Sequence, residues 1–462
     1  MAKKPIAPTA SAPAFADPPA ELLVACDELV TPQLMAAAIS RVGWPNRERI
    51  LTPALMVTGL LRMVGMGLPS FMQLVDLLRK GLGGPAIPVS ESAFYKRLHV
   101  MPHEIFRAVL QETTAVVKAC KLERKGIKEL APWAAGIYAV DDTTLDALMR
   151  KTTALQAHPK GAMETLGGRL SCAVDLRTGL LEEVLYDPNA GTNEKPHFGK
   201  LLEVMGTNNL FVLDLGYFSF PLFDKLTVGG NFFVTRMRQK TTFVVAAKGV
   251  DTDCYRDSLI YLGKHRADRA AHPVRLVEIL IKGQWHQYLT NVLDPRMLGV
   301  QALWKLYGER WGIESIFAVL KQNLKLAYIR PCHTNGILAQ VWATLTVYQV
   351  LQNLRLRAGE VHGCGCDKIS WYNLMQRIGW YGFERRSVTL TEWLLEGESM
   401  ALEKRGQRQR VPPGLTGKLA RTINANTPEW DTPSARVARQ GKPEDAPDLT
   451  QTSLAGIRST LS

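Results

Sequence analysis

Two short apolar runs that each stop at an aspartate constrain this chain most. Gly136-Ile-Tyr-Ala-Val140-Asp141 and Asn209-Leu-Phe-Val-Leu213-Asp214 carry hydrophobic residues at consecutive rather than alternate positions. A strand buries side chains of both parities only when both of its faces are covered. Each run therefore predicts a strand inside an α/β sheet with helices on either side. A carboxylate at the end of such a strand stands at the sheet rim, where α/β folds open the crevice that takes ligands.

The neighbouring sequence supplies the rest of such a domain. Arg169–Asp175 and Leu180–Tyr186 flank Leu176-Arg-Thr-Gly179 and predict a hairpin. Pro196–Met205 and Pro221–Leu226 have helical spacing, and Asn231–Thr235 is a further strand. Residues 237–290 are strand-rich and polar, with strands expected at 241–246, 274–280 and 287–292. Arg236, Arg238 and Lys240 are expected on one strand. A long helix follows from Ala302, and another covers Gly336–Arg357.

The helix from Ala302 carries a second constellation. At the ideal helical rotation, Tyr307, Arg310, Glu314 and Lys321 fall at roughly 0°, 300°, 340° and 320°. They share one stripe, while Ile313, Ile316, Phe317 and Leu320 occupy the core-facing flank. Asp141, Asp214 and Glu314 together would repel one another without a cation. Mg²⁺ or Mn²⁺ suits three carboxylates and keeps positions open for phosphate. Two such ions activate an attacking oxygen and stabilise a leaving one. Arg310 and Lys321 on the same stripe suit phosphate by charge-assisted hydrogen bonds, and Tyr307 adds a hydroxyl.

Charge points the same way. The 462 residues carry a net charge of +13 with a pI near 9.4, which favours a polyanionic partner. Lys118, Lys121, Arg124, Lys125 and Lys128 form one basic cluster, and the tail from Lys404 another. The length suggests two to four domains. Residues 1–18 predict a disordered arm, and residues 19–130 a helical, DNA-binding region. Its helices are expected at 32–41, 53–66, 70–80 and 103–122. Ser90 is placed to cap a short helix after Gly83-Gly-Pro85. That segment reads as the second helix of a helix-turn-helix, with Lys96 and Arg97 meeting DNA, or as one member of a plain bundle. Residues 131–350 form the α/β domain, 351–400 C-terminal helices, and 401–462 a basic, disordered tail.

Seven scattered cysteines argue for reduced thiols, and His362-Gly-Cys364-Gly-Cys366 lacks a matching second pair for a zinc site. No apolar run is long enough for a membrane span, because Arg62 interrupts the longest. The expectation is a cytoplasmic protein, at the nucleoid when active.

These motifs resemble a DDE transposase of the bacterial insertion sequence four type, over residues 130–350. Tyr307, Arg310, Glu314 and Lys321 fit every interval of that family's Tyr-Arg-Glu-Lys signature. Asp141-Asp142-Thr143 matches its first Asp element, with Asp142 where Gly or Ser is more familiar. Asp214-Leu-Gly216-Tyr217-Phe218 matches the second. Strand alternation lets only one of Asp141 and Asp142 face the site, and the motif selects Asp141.

The resemblance implies a ribonuclease-H-like mixed sheet with a β-rich insertion and a homodimer working on double-stranded DNA. It also implies metal-dependent cutting at terminal inverted repeats, strand transfer to target DNA, and a hairpin route for releasing the donor. An aromatic of the insertion stacks on an extruded base in relatives, and Trp285 is the candidate, though a core tryptophan is the plainer reading. A nuclease without strand transfer and a decayed DNA-binding copy are the alternatives.

Overall fold

The computed structural model describes residues 20–44, 50–68, 70–81, 86–124, 126–145, 168–190, 194–326, 328–331, 333–363, 365–375, 415–428 and 430. The proposed arm at 1–18, the Gly83–Pro85 break, Cys364 and most of the tail lie outside them. The chain divides into two compact units.

One unit comprises residues 1–113, 333–354 and 369–403. Its described part is helical: α1 (Ala20–Leu29), α2 (Pro32–Val42), α3 (Pro53–Gly65), α4 (Phe71–Arg79), α5 (Glu91–Val100) and the start of α6 (Glu104–Ala119). Thr31, Thr52, Ser70 and Ser90 each cap the helix that follows, accepting a backbone N–H with the side-chain oxygen. Phe71, Phe94 and Tyr95 pack ring against ring where α4 meets α5.

Two details correct the sequence expectation here. Residues 80–90 separate α4 from α5, far more than the three or four residues of a helix-turn-helix turn. Arg97 does not reach outward: it is 7% exposed, its Nε donates to the Leu51 carbonyl at 3.0 Å, and its guanidinium lies 5.8 Å from the Trp44 ring centroid. Its charge is used inside the unit. Lys96, one residue earlier on the helix, is exposed.

The other unit comprises residues 114–332, 355–368 and 404–462. Its strands are β1 (Gly136–Thr144), β2 (Arg169–Asp175), β3 (Leu181–Asp187), β4 (Asn209–Leu213), β5 (Phe232–Arg236), β6 (Phe243–Asp251), β7 (Tyr255–Leu262), β8 (Val274–Ile281) and β9 (Gln284–Thr290). They form one mixed sheet in the order β3-β2-β1-β4-β5-β9-β8-β7-β6. Strand β2 runs antiparallel to both β1 and β3, and β1, β4 and β5 are mutually parallel.

Both predicted buried strands are covered on both faces, with Ile137 to Val140 and Leu210 to Leu213 at 7% exposure or less. On one face, α7 (Glu194–Met205) and α8 (Phe220–Val228) pack through Phe198, Leu201, Phe223 and Leu226 onto Tyr138, Val140, Phe211, Leu213 and Phe233. Against β5 and β1 pack α9 (Val300–Glu309) and α10 (Trp311–Ala318).

The insertion is not a separate body. Its last strand, β9, pairs antiparallel with β5 through Val234↔Thr290, Thr235↔Leu289 and Arg236↔Tyr288, so four more strands extend the same sheet. The strand β7 is a member the sequence did not disclose. Strand β5 ends at Arg236, and Lys240 takes a left-handed turn conformation, so Arg236, Arg238 and Lys240 do not share a strand.

A fully buried ion pair ties the insertion together. Arg275 Nη2 and Asp257 Oδ2 lie 2.6 Å apart, both side chains are 0% exposed, and Tyr255 Oη donates to Asp257 at 2.7 Å. Arg275 Nη1 donates to the Leu298 carbonyl at 2.7 Å, just before α9 begins.

Part of the tail is also ordered against this unit. Residues Gly417–Ala425 form α12 beside β7, Lys418 pairs with Asp253, and the 8%-exposed Trp430 donates its indole N–H to the Leu293 carbonyl. A side chain at Gly249 would collide with Pro428 and the Trp430 ring, so the strand offers a bare backbone where the tail crosses it. The low apolar content hid this because one tryptophan and one isoleucine, Ile423, are enough to dock a short segment on a surface that is already folded.

The intervening chain includes α11 (Thr334–Val361), and among the described residues no helix is long and apolar enough to cross a membrane. The described cysteines are free thiols.

Removing one partner of the Arg275–Asp257 pair strands a buried charge. Arg275→Leu is expected to cost about 3–5 kcal/mol in urea unfolding, and the double variant Arg275→Leu/Asp257→Leu to recover most of it. A double variant no more stable than the single would overturn this account.

Candidate active site

The parallel register of β1 and β4 brings the first two carboxylates together. Val140 is level with Leu213, so Asp141, still within β1, and Asp214, the first residue after β4, stand side by side. Adjacent strands lie about 4.8 Å apart. The side-chain parities agree. Val140 and Leu213 point into the core under α7 and α8, so Asp141 and Asp214 point to the opposite face, where α10 packs on β1 and presents Glu314.

Arg310 stands among the three. Its Nη1 is 3.9 Å from Asp141 Oδ2, its Nε 3.6 Å from Asp214 Oδ1, and its Nη2 3.2 Å from Glu314 Oε1. The Arg310 side chain is only 7% exposed. Burial works against its charge, but Asp214, Tyr307, Asp141 and Glu314 more than offset this and hold the guanidinium above its ordinary pKa.

Asp141 pays for the crowding. Burial first, then Asp214 and Asp142, push its carboxyl up to about 6, against the hydrogen bond from the Asp142 peptide N–H at 2.8 Å and the pull of Arg310. Asp142 faces the other way: its side chain is 1% exposed and accepts from Tyr217 Oη at 2.6 Å. Asp141 is therefore the member of the pair beside Arg310, Asp214 and Glu314.

The helix that carries Arg310 is not continuous. Arg310 is both the last cap of α9 and the first of α10. The turn around it is tightened by i→i−3 bonds from Arg310 N to Tyr307 O and from Ile313 N to Arg310 O. Beyond α10 the chain loosens into a π-helical turn, Val319–Asn323, which holds Lys321. The single stripe calculated for an ideal helix therefore stops short of Lys321. That lysine is half-buried and forms no ion pair with the three carboxylates.

A buried pair braces the junction. Arg124 Nη2 and Glu309 Oε2 lie 2.7 Å apart, and Arg124 Nη1 donates to the Leu176 carbonyl at 3.1 Å. Arg124 belongs to a cluster that reads as a surface patch in sequence. Here it is a bolt between the end of β2 and the residue before Arg310, and its neighbour Lys118 is paired with Glu182.

Tyr307 lies 8% exposed beneath Arg310, with its ring 5.2 Å from that of Tyr288 on β9. Burial raises its pKa, so it keeps its phenolic proton at neutral pH. Tyr288 and His286 both meet the Trp304 ring of α9, so these alternate residues of β9 face the helix.

Trp285 has the opposite parity and lies on the other face of the sheet from Tyr307. It is half-buried with the Arg256 guanidinium 4.3 Å from its ring centroid. The fold does not bring Trp285 to the carboxylates, because period-two alternation sends it away from α9. The aromatic next to them is Trp311, 44% exposed, with Arg310 5.0 Å from its ring centroid. Arg236, exposed at the end of β5, acts electrostatically on Tyr307, Tyr288 and His286. The sequence signal for Trp311 was an aromatic breaking the polar side of an amphipathic helix. Arg236 had the signal Asp141 and Asp214 had, a polar residue ending an apolar strand.

The donors around Arg310 are carboxylate oxygens, the set that magnesium and manganese ions take. The raised Asp141 carboxyl marks a place where a nearby cation removes an electrostatic cost. Among the described residues, no group of three or more His, Cys, Asp or Glu side chains is drawn together closely enough to hold a metal ion as it stands.

The family described as "Transposase DDE domain" matches residues 132–350. The chain is 22% identical over 192 residues to a protein of Sinorhizobium fredii (strain NBRC 101917 / NGR234) named putative transposase y4zB, covering 38% of this chain and 53% of that one. It is 21% identical over 206 residues to transposase InsG for insertion sequence element IS4 of Escherichia coli (strain K12), covering 42% and 45%. The chain spans about half the length of the curated relatives it matches. A cryo-EM structure of the piggyBac transposase synaptic complex with hairpin DNA aligns over 86% of this chain and 87% of that one, with 12% identity and a TM-score of 0.35.

The Asp141 carboxyl predicts a pH signature in metal-free protein. Its folded pKa, about 6, lies above the unfolded value near 3.9, so the folded state binds the proton more tightly. Stability from this group is fully present below about pH 4, falls as pH rises to about 6, and is flat above. Asp141→Asn is expected to remove that slope and to raise stability at pH 7.5 by on the order of 1–3 kcal/mol in urea unfolding with EDTA. A variant that keeps the slope, or that is destabilised at pH 7.5, would contradict the assignment.

Proposed function

Because residues 132–350 match the family described as "Transposase DDE domain", we propose that the protein is a DNA transposase. It binds the terminal inverted repeats of its own element, cuts DNA in a divalent-metal-dependent reaction and joins the freed 3′ hydroxyl to target DNA. The observation that carries this reading is the convergence of Asp141, Asp214 and Glu314, from three distant segments, on the buried guanidinium of Arg310.

Asp141, Asp214 and Glu314 would hold the ions, most simply two of Mg²⁺ or Mn²⁺. When bound, such ions lower the pKa of an attacking hydroxyl and stabilise the leaving 3′ oxygen.

The chain's own groups do the rest. Arg310 would turn its donors to phosphate oxygens, where a forked guanidinium binds two at once. Tyr307, kept protonated by burial, donates from beneath. Arg236 adds positive charge near Tyr307, Lys321 is a further candidate for phosphate, and Trp311 offers an exposed ring for an unpaired base. Lys96 on α5 is the remaining candidate for contact with duplex DNA. Two copies of the chain, one at each element end, complete the complex in this reading.

The test uses purified full-length protein and linear DNA carrying the element's ends, with Mg²⁺ or Mn²⁺. Cleavage followed by joining is expected. Asp141→Asn, Asp214→Asn and Glu314→Gln should each lower it by at least about 10²-fold while end binding persists. Cleavage without joining would indicate a nuclease, and binding alone a decayed copy. Undiminished cutting by Glu314→Gln would remove that residue from the site.

A further inference from the structure

Behind the carboxylate cluster, on the opposite face of β1, lies a second group of polar side chains that the proposed chemistry does not use. Asp142 is its centre. Tyr217 Oη, from the turn just after Asp214, donates to Asp142 Oδ1 at 2.6 Å. Arg169 Nη1 stands 3.7 Å from Asp142 Oδ2, which meets no hydrogen-bond donor. Ser171 is the register partner of Asp142 across the β1–β2 pair. The Ser171 hydroxyl is 3.0 Å from His197 Nδ1 on α7, and His197 Nε2 is 2.7 Å from Asp187 Oδ2 at the end of β3. Burial raises the Asp142 pKa, while Tyr217, Ser171, Arg169 and His197 act against that rise.

Ser171, His197 and Asp187 have the order of a nucleophilic triad, but that reading fails on access. Ser171 is 0% exposed and His197 5%, so no substrate reaches the hydroxyl. Five side chains from β2, β3, α7 and the turn after β4 instead converge, directly or in series, on one carboxylate of β1. The link to the other face is short: the Asp142 peptide N–H is the donor that holds Asp141 Oδ1 at 2.8 Å.

We propose that Asp142 is a positioning residue: anchored by Tyr217, Arg169 and Ser171, with Ser171 held in turn by His197 and Asp187, it fixes the peptide that aims the Asp141 carboxylate. This rests on the reading that Asp141 holds a divalent ion. Anchoring matters there because pairing with β4 stops at Val140, so from Asp141 on β1 is held on one side only, by β2, and a ligand carboxylate is aimed by the groups that fix it. The arrangement gives a physical use to the residue that departs from the more familiar Gly or Ser of the resembled motif.

Mn²⁺ binding to the full-length protein without DNA, followed by calorimetry or electron paramagnetic resonance, separates the possibilities. Tyr217→Phe and His197→Ala are each expected to weaken Mn²⁺ binding about 10- to 100-fold. His197→Gln, whose amide can both donate and accept between Ser171 and Asp187, should stay within about threefold of wild type. Asp141→Asn should lose the site. Tyr217→Phe deletes one oxygen only and keeps the test open if His197→Ala does not fold. If Tyr217→Phe and His197→Ala melt earlier but bind Mn²⁺ like wild type, while Asp141→Asn does not bind, the network is merely structural and the proposal is overturned. If Asp141→Asn binds Mn²⁺ like wild type, the metal reading falls and takes the proposal with it.

Discussion

The arrangement depends on one electrostatic problem, three carboxylates brought to the same rim of a sheet, and on the guanidinium that answers it. Asp141, Asp214 and Glu314 surround Arg310, and each would raise the cost of the others without it. Much of the surrounding structure serves to hold that guanidinium in place. The tightened turn at Arg310 joins α9 to α10, Glu309 is bolted to Arg124, and Tyr307 and Trp311 bracket the side chain. A metal and a phosphate are what the proposed chemistry would bring to this cluster. Its acids are already gathered, and the arginine neutralising them is the group best suited to take the phosphate.

The sheet does the gathering, and it does so through parity. Even-numbered residues of β1 face the core under α7 and α8 and odd-numbered ones face α10, so adjacent aspartates serve opposite sides. Asp141 goes to the carboxylate cluster and Asp142 to the buried network of Tyr217, Ser171 and Arg169. The same rule sends Tyr288 toward α9 and Trp285 away from it. Pairing of β9 with β5 then makes the insertion a continuation of the sheet, and Arg275 fastens it to the segment that leads into α9.

Much of this was legible in the sequence because it is local. Continuous apolar runs over 137–140 and 210–213 announced strands covered on both faces, and the hairpin around Gly179 announced itself by its turn. The spacing of Tyr307, Arg310 and Glu314 placed them together because three to four residues are one helical turn. Lys321 is two turns further on, and the π-helical turn shifted it from the line, since each residue of a wide turn rotates the chain less than in an ideal α-helix. Arg97 and Arg124 read as surface charge because composition counts a charge without knowing its partner. The carbonyl of Leu51 and the carboxylate of Glu309 come from distant sequence. The helix Gly417–Ala425 and Trp430 were hidden for a related reason: a segment too polar to make its own core can still dock on one.

By itself, then, the sequence determined which segments bury themselves, where their apolar runs meet acids, and which residue types are available for phosphate chemistry. Those properties follow from side-chain polarity and backbone period, which act over a few residues. Tertiary structure alone decided that Asp141 and Asp214 stand level, that Glu314 meets them, that Asp142 turns its back, and that Arg310 is the common partner. Register, helix docking and desolvation depend on which distant surfaces meet, and no local pattern carries that information.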